Sequence, residues 1–174
     1  EALTTDYAYI MNDDGTISVS GYTGSDTDLT VPGLIDGYVV TGIADHAFEA
    51  NADIKSITLP NGLIAIGESA FSDCSSLTTV VIPDTVGTIR RGAFISCTAL
   101  TTLDIPASVT EIMEEALTGC AALKDLTIES STVEFTNWWV DTDEIPSDLT
   151  ITCPKDSKIA AWAEKNNVAT EPLS

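Results

Sequence analysis

Apolar positions along the middle of this chain follow one short pattern that returns at a fixed interval. Residues 77–83 and 100–106, with 54–60 as a variant, read L-x-x-V-x-I-P or close to it, alternating apolar with exposed positions. That alternation predicts a short strand. The closing Pro60, Pro83 and Pro106 end each strand on a turn, because proline cannot donate to a central ladder. Two more inward positions follow, Leu63 with Ile66, Val86 with Ile89 and Val109 with Ile112. Then comes an Ala-Phe or Ala-Leu pair. Set in register, residues 66–77 read I-G-E-S-A-F-S-D-C-S-S-L, 89–100 read I-R-R-G-A-F-I-S-C-T-A-L and 112–123 read I-M-E-E-A-L-T-G-C-A-A-L. The interval is twenty-three residues, and it recurs in Cys74, Cys97 and Cys120 and in Ala70, Ala93 and Ala116. A period of this size predicts a solenoid, in which each unit buries its apolar face only by stacking on its neighbours. Phe48, Phe71, Phe94 and Leu117 are expected to form one inside column.

The pattern is imperfect at both ends of the repeat region. The first unit, from Pro32 to Pro60, is five residues too long and contains Asp36-Gly37 between apolar runs, which predicts a small hairpin. Leu126-Thr127-Ile128 and Leu149-Thr150-Ile151 stand one period apart, so residues 129–148 are expected to keep the repeat's length, with Trp139 in the Ala column and Asp143 in the Cys column. The expected organisation is a single domain. Residues 1–27 form an N-terminal β cap, in which Tyr7–Ile10 and Thr16–Tyr22 make a hairpin around Asn12-Asp13-Asp14-Gly15. Residues 28–152 form about five coils, the fifth (126–148) degenerate. Residues 153–174 form a C-terminal cap whose segment from Asp156 to Asn166 reads as an amphipathic helix carrying Ile159, Ala160, Trp162 and Ala163.

Composition narrows the function classes. Of 174 residues, 27 are acidic and 7 basic, a formal charge of −20. That charge repels phosphate backbones and anionic headgroups, so nucleic acid and direct membrane insertion are not expected. No apolar run reaches the roughly 20 residues needed to span a bilayer. The chain begins at Glu1, which fits a mature secreted protein or a trimmed one. Three of the four cysteines share one repeat column, which argues for buried thiols; stacked units are nevertheless close enough for a bridge. Enzyme signatures such as G-x-S-x-G, a phosphate loop, H-E-x-x-H or paired C-x-x-C do not occur. The single histidine, His46, aligns with the variable Ser69, Gly92 and Glu115 and is expected to be an exposed substituent. The acid clusters at Asn12-Asp13-Asp14 and at 141–144 do not match an EF-hand. No catalytic residue, metal or cofactor is assigned.

The motif I-G-x-x-A-F-x-x-C-x-x-L-x-x-V-x-I-P, as it stands in residues 66–83, resembles the BspA-like leucine-rich repeat family. The resemblance covers residues 29–151, and N-D-D-G-T-I-S-V-S-G-Y-T-G looks like segments that precede such repeats. Arg90 and Met113 depart from it, where the family usually has Gly. It implies a right-handed, curved leucine-rich-repeat solenoid, mainly β with short turns, whose parallel sheet lines the concave face. Members are typically secreted or surface-attached, and several are implicated in adhesion to host matrix proteins or other cells.

On that fold the outward strand positions form two columns. One is Thr30, Thr58, Val81, Asp104, Thr127 and Thr150, and the other is Asp28, Ser56, Thr79, Thr102, Asp125 and Asp148. They make a hydroxyl-rich face, acidic towards its C-terminal end, and threonine also suits exposed strand positions for its own sake. A second candidate is Trp138-Trp139 with Asp141 and Asp143, one ring expected inward and one outward as a contact hot spot. The expected function is a non-enzymatic adhesion module, extracellular or at the cell surface, acting as a monomer on a protein or glycan of a host or neighbouring cell. The alternative is a rigid spacer with no ligand of its own.

Overall fold

In the computed structural model, which describes residues 6–139 and 144–173, each repeat lays its two apolar registers on two different sheets. The chain opens with β1 (Tyr7–Met11) and β2 (Ile17–Tyr22), an antiparallel hairpin around the 12–15 turn. The first unit carries β3 (Asp28–Thr30), β4 (Leu34–Ile35) and β5 (Tyr38–Ile43). Its five extra residues form the expected hairpin, with Leu34 opposite Val39 and Ile35 opposite Tyr38. Asp36 and Gly37 both turn left-handed there (φ 52° and 86°), as a tight two-residue hairpin loop requires.

The later units contribute pairs of strands: β6 (Ser56–Thr58) with β7 (Ala65–Ile66), β8 (Thr79–Val81) with β9 (Thr88–Ile89), β10 (Thr102–Ile105) with β11 (Glu111–Ile112), and β12 (Asp125–Ile128) with β13 (Glu134–Phe135). The chain closes with β14 (Thr150–Cys153), α1 (Lys158–Lys165) and β15 (Ala169–Pro172). First strands stack in parallel as β3-β6-β8 and β10-β12-β14-β15, two ladders that meet at β8 and β10. Second strands stack as β2-β5-β7-β9-β11-β13, with β1 on the outer edge. The result is a β-solenoid of about seven turns. Both caps extend the ladders: β2 runs parallel to β5, and β15 runs parallel to β14. Strand β15 has no apolar alternation and is exposed throughout, so nothing in its sequence announces it.

A third side is built by the Ala-Phe turn. The amides of Phe48, Phe71 and Phe94 donate to the carbonyls of Ala70, Ala93 and Ala116 at 2.8, 2.8 and 3.0 Å. Each turn uses left-handed backbone twice, at His46, Ser69, Gly92 and Glu115 (φ 60°, 51°, 58°, 61°) and at Ala50, Asp73, Ser96 and Gly119 (φ 57°, 58°, 58°, 76°). The column that holds His46 therefore varies in side chain but not in backbone. Left-handed geometry costs a non-glycine residue about 1–2 kcal/mol, and the inter-coil hydrogen bonds offset it. Inside the turns the rings of Phe48, Phe71 and Phe94 stack at 5.2 and 5.4 Å with planes 2° and 3° apart, and Leu117 continues the column.

Gly67 answers a contact that the later units lack. A Cβ there would lie 2.5 Å from the Ala44 carbonyl carbon and 2.6 Å from the Asp45 nitrogen, both backbone. Arg90 and Met113 occupy the same column further along, so glycine is needed only against the first unit. Gly67→Ala is expected to cost about 1–3 kcal/mol by overpacking. Gly87→Ala, whose Cβ would meet its nearest neighbour at 3.8 Å, serves as the control in paired urea denaturation curves.

All four cysteines are free and buried. Cys74, Cys97 and Cys120 donate through Sγ to the carbonyls of Phe48, Phe71 and Phe94 at 3.1, 3.1 and 3.2 Å, so each thiol ties its turn to the preceding coil. Burial pushes Cys74 and Cys120 from the ordinary 9.0 up to about 12, and Cys97 up as well. A folded thiol with a raised pKa keeps its proton where the unfolded one loses it. Its contribution is complete below pH 9 and is lost as pH climbs towards about 12. Thermal melting between pH 8 and 11 should therefore show stability falling above pH 9, with a shallower fall in Cys97→Ala. Tyr7, raised to about 12 chiefly by its own burial, acts in the same direction and is removed by Tyr7→Phe.

The fifth unit departs from expectation. Strand β12 pairs β14 as Asp125 with Thr150, Leu126 with Ile151 and Thr127 with Thr152, an offset of twenty-five residues rather than twenty-three. Leu149 is not the counterpart of Leu126. Its amide bonds to the Pro146 carbonyl just as that of Leu123 bonds to Cys120, so it ends the preceding turn. Trp138, not Trp139, takes the Ala column, since the Leu117 amide donates to its carbonyl at 3.0 Å. Left-handed geometry falls at Asn137 (φ 41°), one residue early. Asp143, expected in the Cys column, lies outside the described residues. Helix α1 forms within the expected segment, capped by Ser157 Oγ, which accepts from the Ala160 amide at 3.1 Å, and it buries Ile159 and Ala163.

Candidate binding face

The pleat turns every second residue of the first strands away from the core. On β3, β6 and β8 this sets Thr30, Thr58 and Val81 in one row and Asp28, Ser56 and Thr79 in the other. On β10, β12 and β14 the rows are Thr102, Asp125, Thr150 and Asp104, Thr127, Thr152. Thr30, Thr58, Thr79, Val81, Thr102, Asp104 and Asp125 are exposed, and Ser56 and Thr127 are half-buried. The longer fifth unit corrects the far end of both rows. Thr150 stands beside Asp125 and Thr152 beside Thr127, while Asp148 leaves the ladder and pairs with Lys124 at 3.4 Å. Asp104 and Asp125 therefore stand at the middle of the face, followed by Thr127, Thr150 and Thr152, with the exposed Glu171 of β15 beside Thr152.

At the end of the Thr30-Thr58-Val81 row, Pro32, Pro60 and Pro83 help line a hollow of about 490 Å³ with mostly apolar walls. Sequence reasoning treated the prolines as strand terminators and missed this hollow. Its signal was present, in that a proline follows each of β3, β6 and β8, and Val81, 49% exposed, replaces a threonine. At the opposite, N-terminal end of the same strands β3 and β6, Ser56 donates to Asp28 Oδ1 at 2.6 Å and pins that carboxylate.

The tryptophan patch is not a surface. Trp138 is 0% and Trp139 3% exposed, which overturns the expected outward ring. Trp138 packs against Phe135 at 5.4 Å, edge-on to Trp139 at 6.3 Å and edge-on to Trp162 of α1 at 5.0 Å. The rings fill the space that the lost motif leaves and join the last coil to the cap. Among the described residues neither indole nitrogen has a hydrogen-bond partner. Asp141 and Asp143 lie outside the described residues.

The chemistry offered by the strand face is hydrogen bonding, carboxylate charge and a small apolar hollow. His46 is exposed, and its Nδ1 lies 3.0 Å from Glu49 Oε2. Asp14 in the N-terminal turn accepts from the Thr16 hydroxyl at 2.6 Å and amide at 3.0 Å, which holds its carboxyl below the ordinary value. Thiols whose ionisation is suppressed by burial are poor nucleophiles.

The geometry has known counterparts. A model of the BspA type leucine rich repeat region matches residues 39–149 in 6 copies. A leucine rich repeat protein of T. pallidum superposes with a TM-score of 0.77, covering 85% of this chain and 69% of its own at 24% identity, a likeness of fold. One from Bacteroides capillosus is 33% identical over 62% of this chain and 83% of its own, with a TM-score of 0.58. A leucine rich cell surface protein from Faecalibacterium prausnitzii is 29% identical with a TM-score of 0.62, and the match covers 95% of this chain but 45% of that one. No curated protein matches the sequence. Repeat proteins of this kind are generally non-enzymatic and serve as binding or structural modules. With its matched copies spanning most of the solenoid, the chain belongs to the BspA-type leucine-rich repeat family.

Proposed function

We propose that this chain is a non-enzymatic adhesion module, placed outside the cell or on its surface, that recognises a protein or glycan through the face of the first strands. The observation that carries this reading is the exposed row of Thr30, Thr58 and Val81 leading into the proline-lined hollow, beside the carboxylates of Asp104 and Asp125. Hydroxyls and carboxylates match the hydrogen-bonding groups of sugars and peptide backbone, and the hollow takes an apolar side chain or a sugar ring face. Such extended faces are where curved solenoids commonly bind. Surface placement is supported by the relative from Faecalibacterium prausnitzii, a cell surface protein.

The test is binding of the purified chain to immobilised matrix proteins, serum proteins and glycans at physiological and raised salt. Thr58→Lys/Asp104→Lys places two long side chains on exposed positions that the core does not sense. It is expected to weaken saturable binding by tenfold or more, about 1.4 kcal/mol or above, with an unchanged melting temperature. No binding across the panel favours a spacer, and binding indifferent to the double variant places the ligand off this face; either result overturns the proposal.

A further inference from the structure

A second hollow lies away from that face, on the sheet of second strands. It measures about 390 Å³, and the half-buried Met113 and Phe135 give it apolar walls over the core residue Ile112. Four carboxylates rim it, Glu68, Glu111, Glu114 and Glu134, against the single guanidinium of Arg91. Arg91 is engaged by Glu115 at 3.1 Å, and Lys158 of α1 pairs with Glu134. Arg91 also feels the charges of Glu114 and Glu68, whereas Glu111 has no ion-pair partner among the described residues. Glu111 and Glu134 are also direct neighbours across the parallel ladder. Like charges set opposite each other destabilise a sheet, so a cation between them gains from both while relieving their repulsion.

We propose that this hollow is a docking site for an arginine side chain of a partner polypeptide, flanked there by apolar residues. The arginine's aliphatic stem lies on Met113, as long cationic side chains commonly lie on apolar surface. Its guanidinium reaches Glu111 and Glu134, whose geometry it can meet with paired hydrogen bonds, at the edge of the half-buried Phe135. The formal charge of −20 steers a basic segment towards the chain. Lys158 is then a resident competitor for Glu134. This site is separate from the strand face of the proposed adhesion function.

The experiment titrates the ¹⁵N-labelled full chain with three capped tripeptides, Leu-Arg-Leu, Leu-citrulline-Leu and Gly-Arg-Gly. Leu-Arg-Leu is expected to give saturable amide shifts confined to residues 111–114 and 134–136. The other two should bind about tenfold more weakly or worse, since one lacks the charge and the other the apolar flanks. Lys158→Ala, which releases Glu134, is expected to tighten binding severalfold, whereas Glu111→Gln/Glu134→Gln should weaken it at least about tenfold. Thr58→Lys/Asp104→Lys should leave it unchanged, so this site and the adhesion face succeed or fail independently. Equal response to citrulline, shifts scattered over every acidic stretch, looser binding in Lys158→Ala, or no saturation at millimolar peptide would each overturn the assignment.

Discussion

Replacing Phe71 by alanine is expected to lower the free energy of unfolding by about 3–5 kcal/mol, the range for deleting a large buried aromatic side chain. The residue is 0% exposed and stacks on a ring on each side, Phe48 at 5.2 Å and Phe94 at 5.4 Å. In a solenoid every unit is held only by its neighbours, so a void in the middle of the column weakens two interfaces at once. The backbone around it cannot close the gap, because the Phe71 amide is fixed to the Ala93 carbonyl and the Cys97 thiol to the Phe71 carbonyl. Phe71→Leu should cost much less, since Leu117 already holds the same column one unit past Phe94. Urea denaturation followed by circular dichroism measures both. A loss below about 1 kcal/mol for the alanine variant would mean that the turns collapse freely, against the close packing of protein interiors.

The fold was legible where identical contacts repeat. Two copies of an Ala-Phe-x-x-Cys block and a third with Leu117 for the phenylalanine specify the same turn three times. The hairpin insertion at Asp36-Gly37 was readable because its turn chemistry is local. The fifth unit was not, because Leu149 imitates Leu126 in sequence while its amide serves the preceding turn. Apolar identity alone cannot separate those roles; only the ladder, pairing Leu126 with Ile151, does so. The same two-residue error displaced Asp148 from the candidate face. Alternation also misled at Trp138-Trp139, since period-two logic holds for paired strands and β13 ends at Phe135. The two hollows escaped for a different reason. Each is lined by residues from successive units, some twenty residues or more apart in sequence, and concavity is a property of their stacking rather than of any one motif.

Trp138→Ala is expected to cost a similar 3–5 kcal/mol, but unevenly along the molecule. Trp138 is fully buried and touches Phe135 of the last regular strand pair, Trp139 and, edge-on, Trp162 of the capping helix. It is the aromatic link between the repeats and α1, which the exposed Lys158 to Glu134 pair also ties to them. Exposed ion pairs contribute little, so removing the ring leaves the cap held chiefly by Ile159, Ala163 and the β14–β15 ladder. All three tryptophans lie at this end, at 138, 139 and 162. Tryptophan fluorescence, excited selectively past the tyrosine band, therefore reports the C-terminal end alone, whereas far-ultraviolet circular dichroism reports every coil. In the parent chain the two urea transitions should coincide. In Trp138→Ala the remaining tryptophan signal should move to lower denaturant than the dichroism, and amides of residues 159–166 should lose hydrogen-exchange protection while those of β6 to β9 keep it. Transitions that still coincide in the variant would show that the cap is coupled through the backbone ladder and that the indole is only a filler.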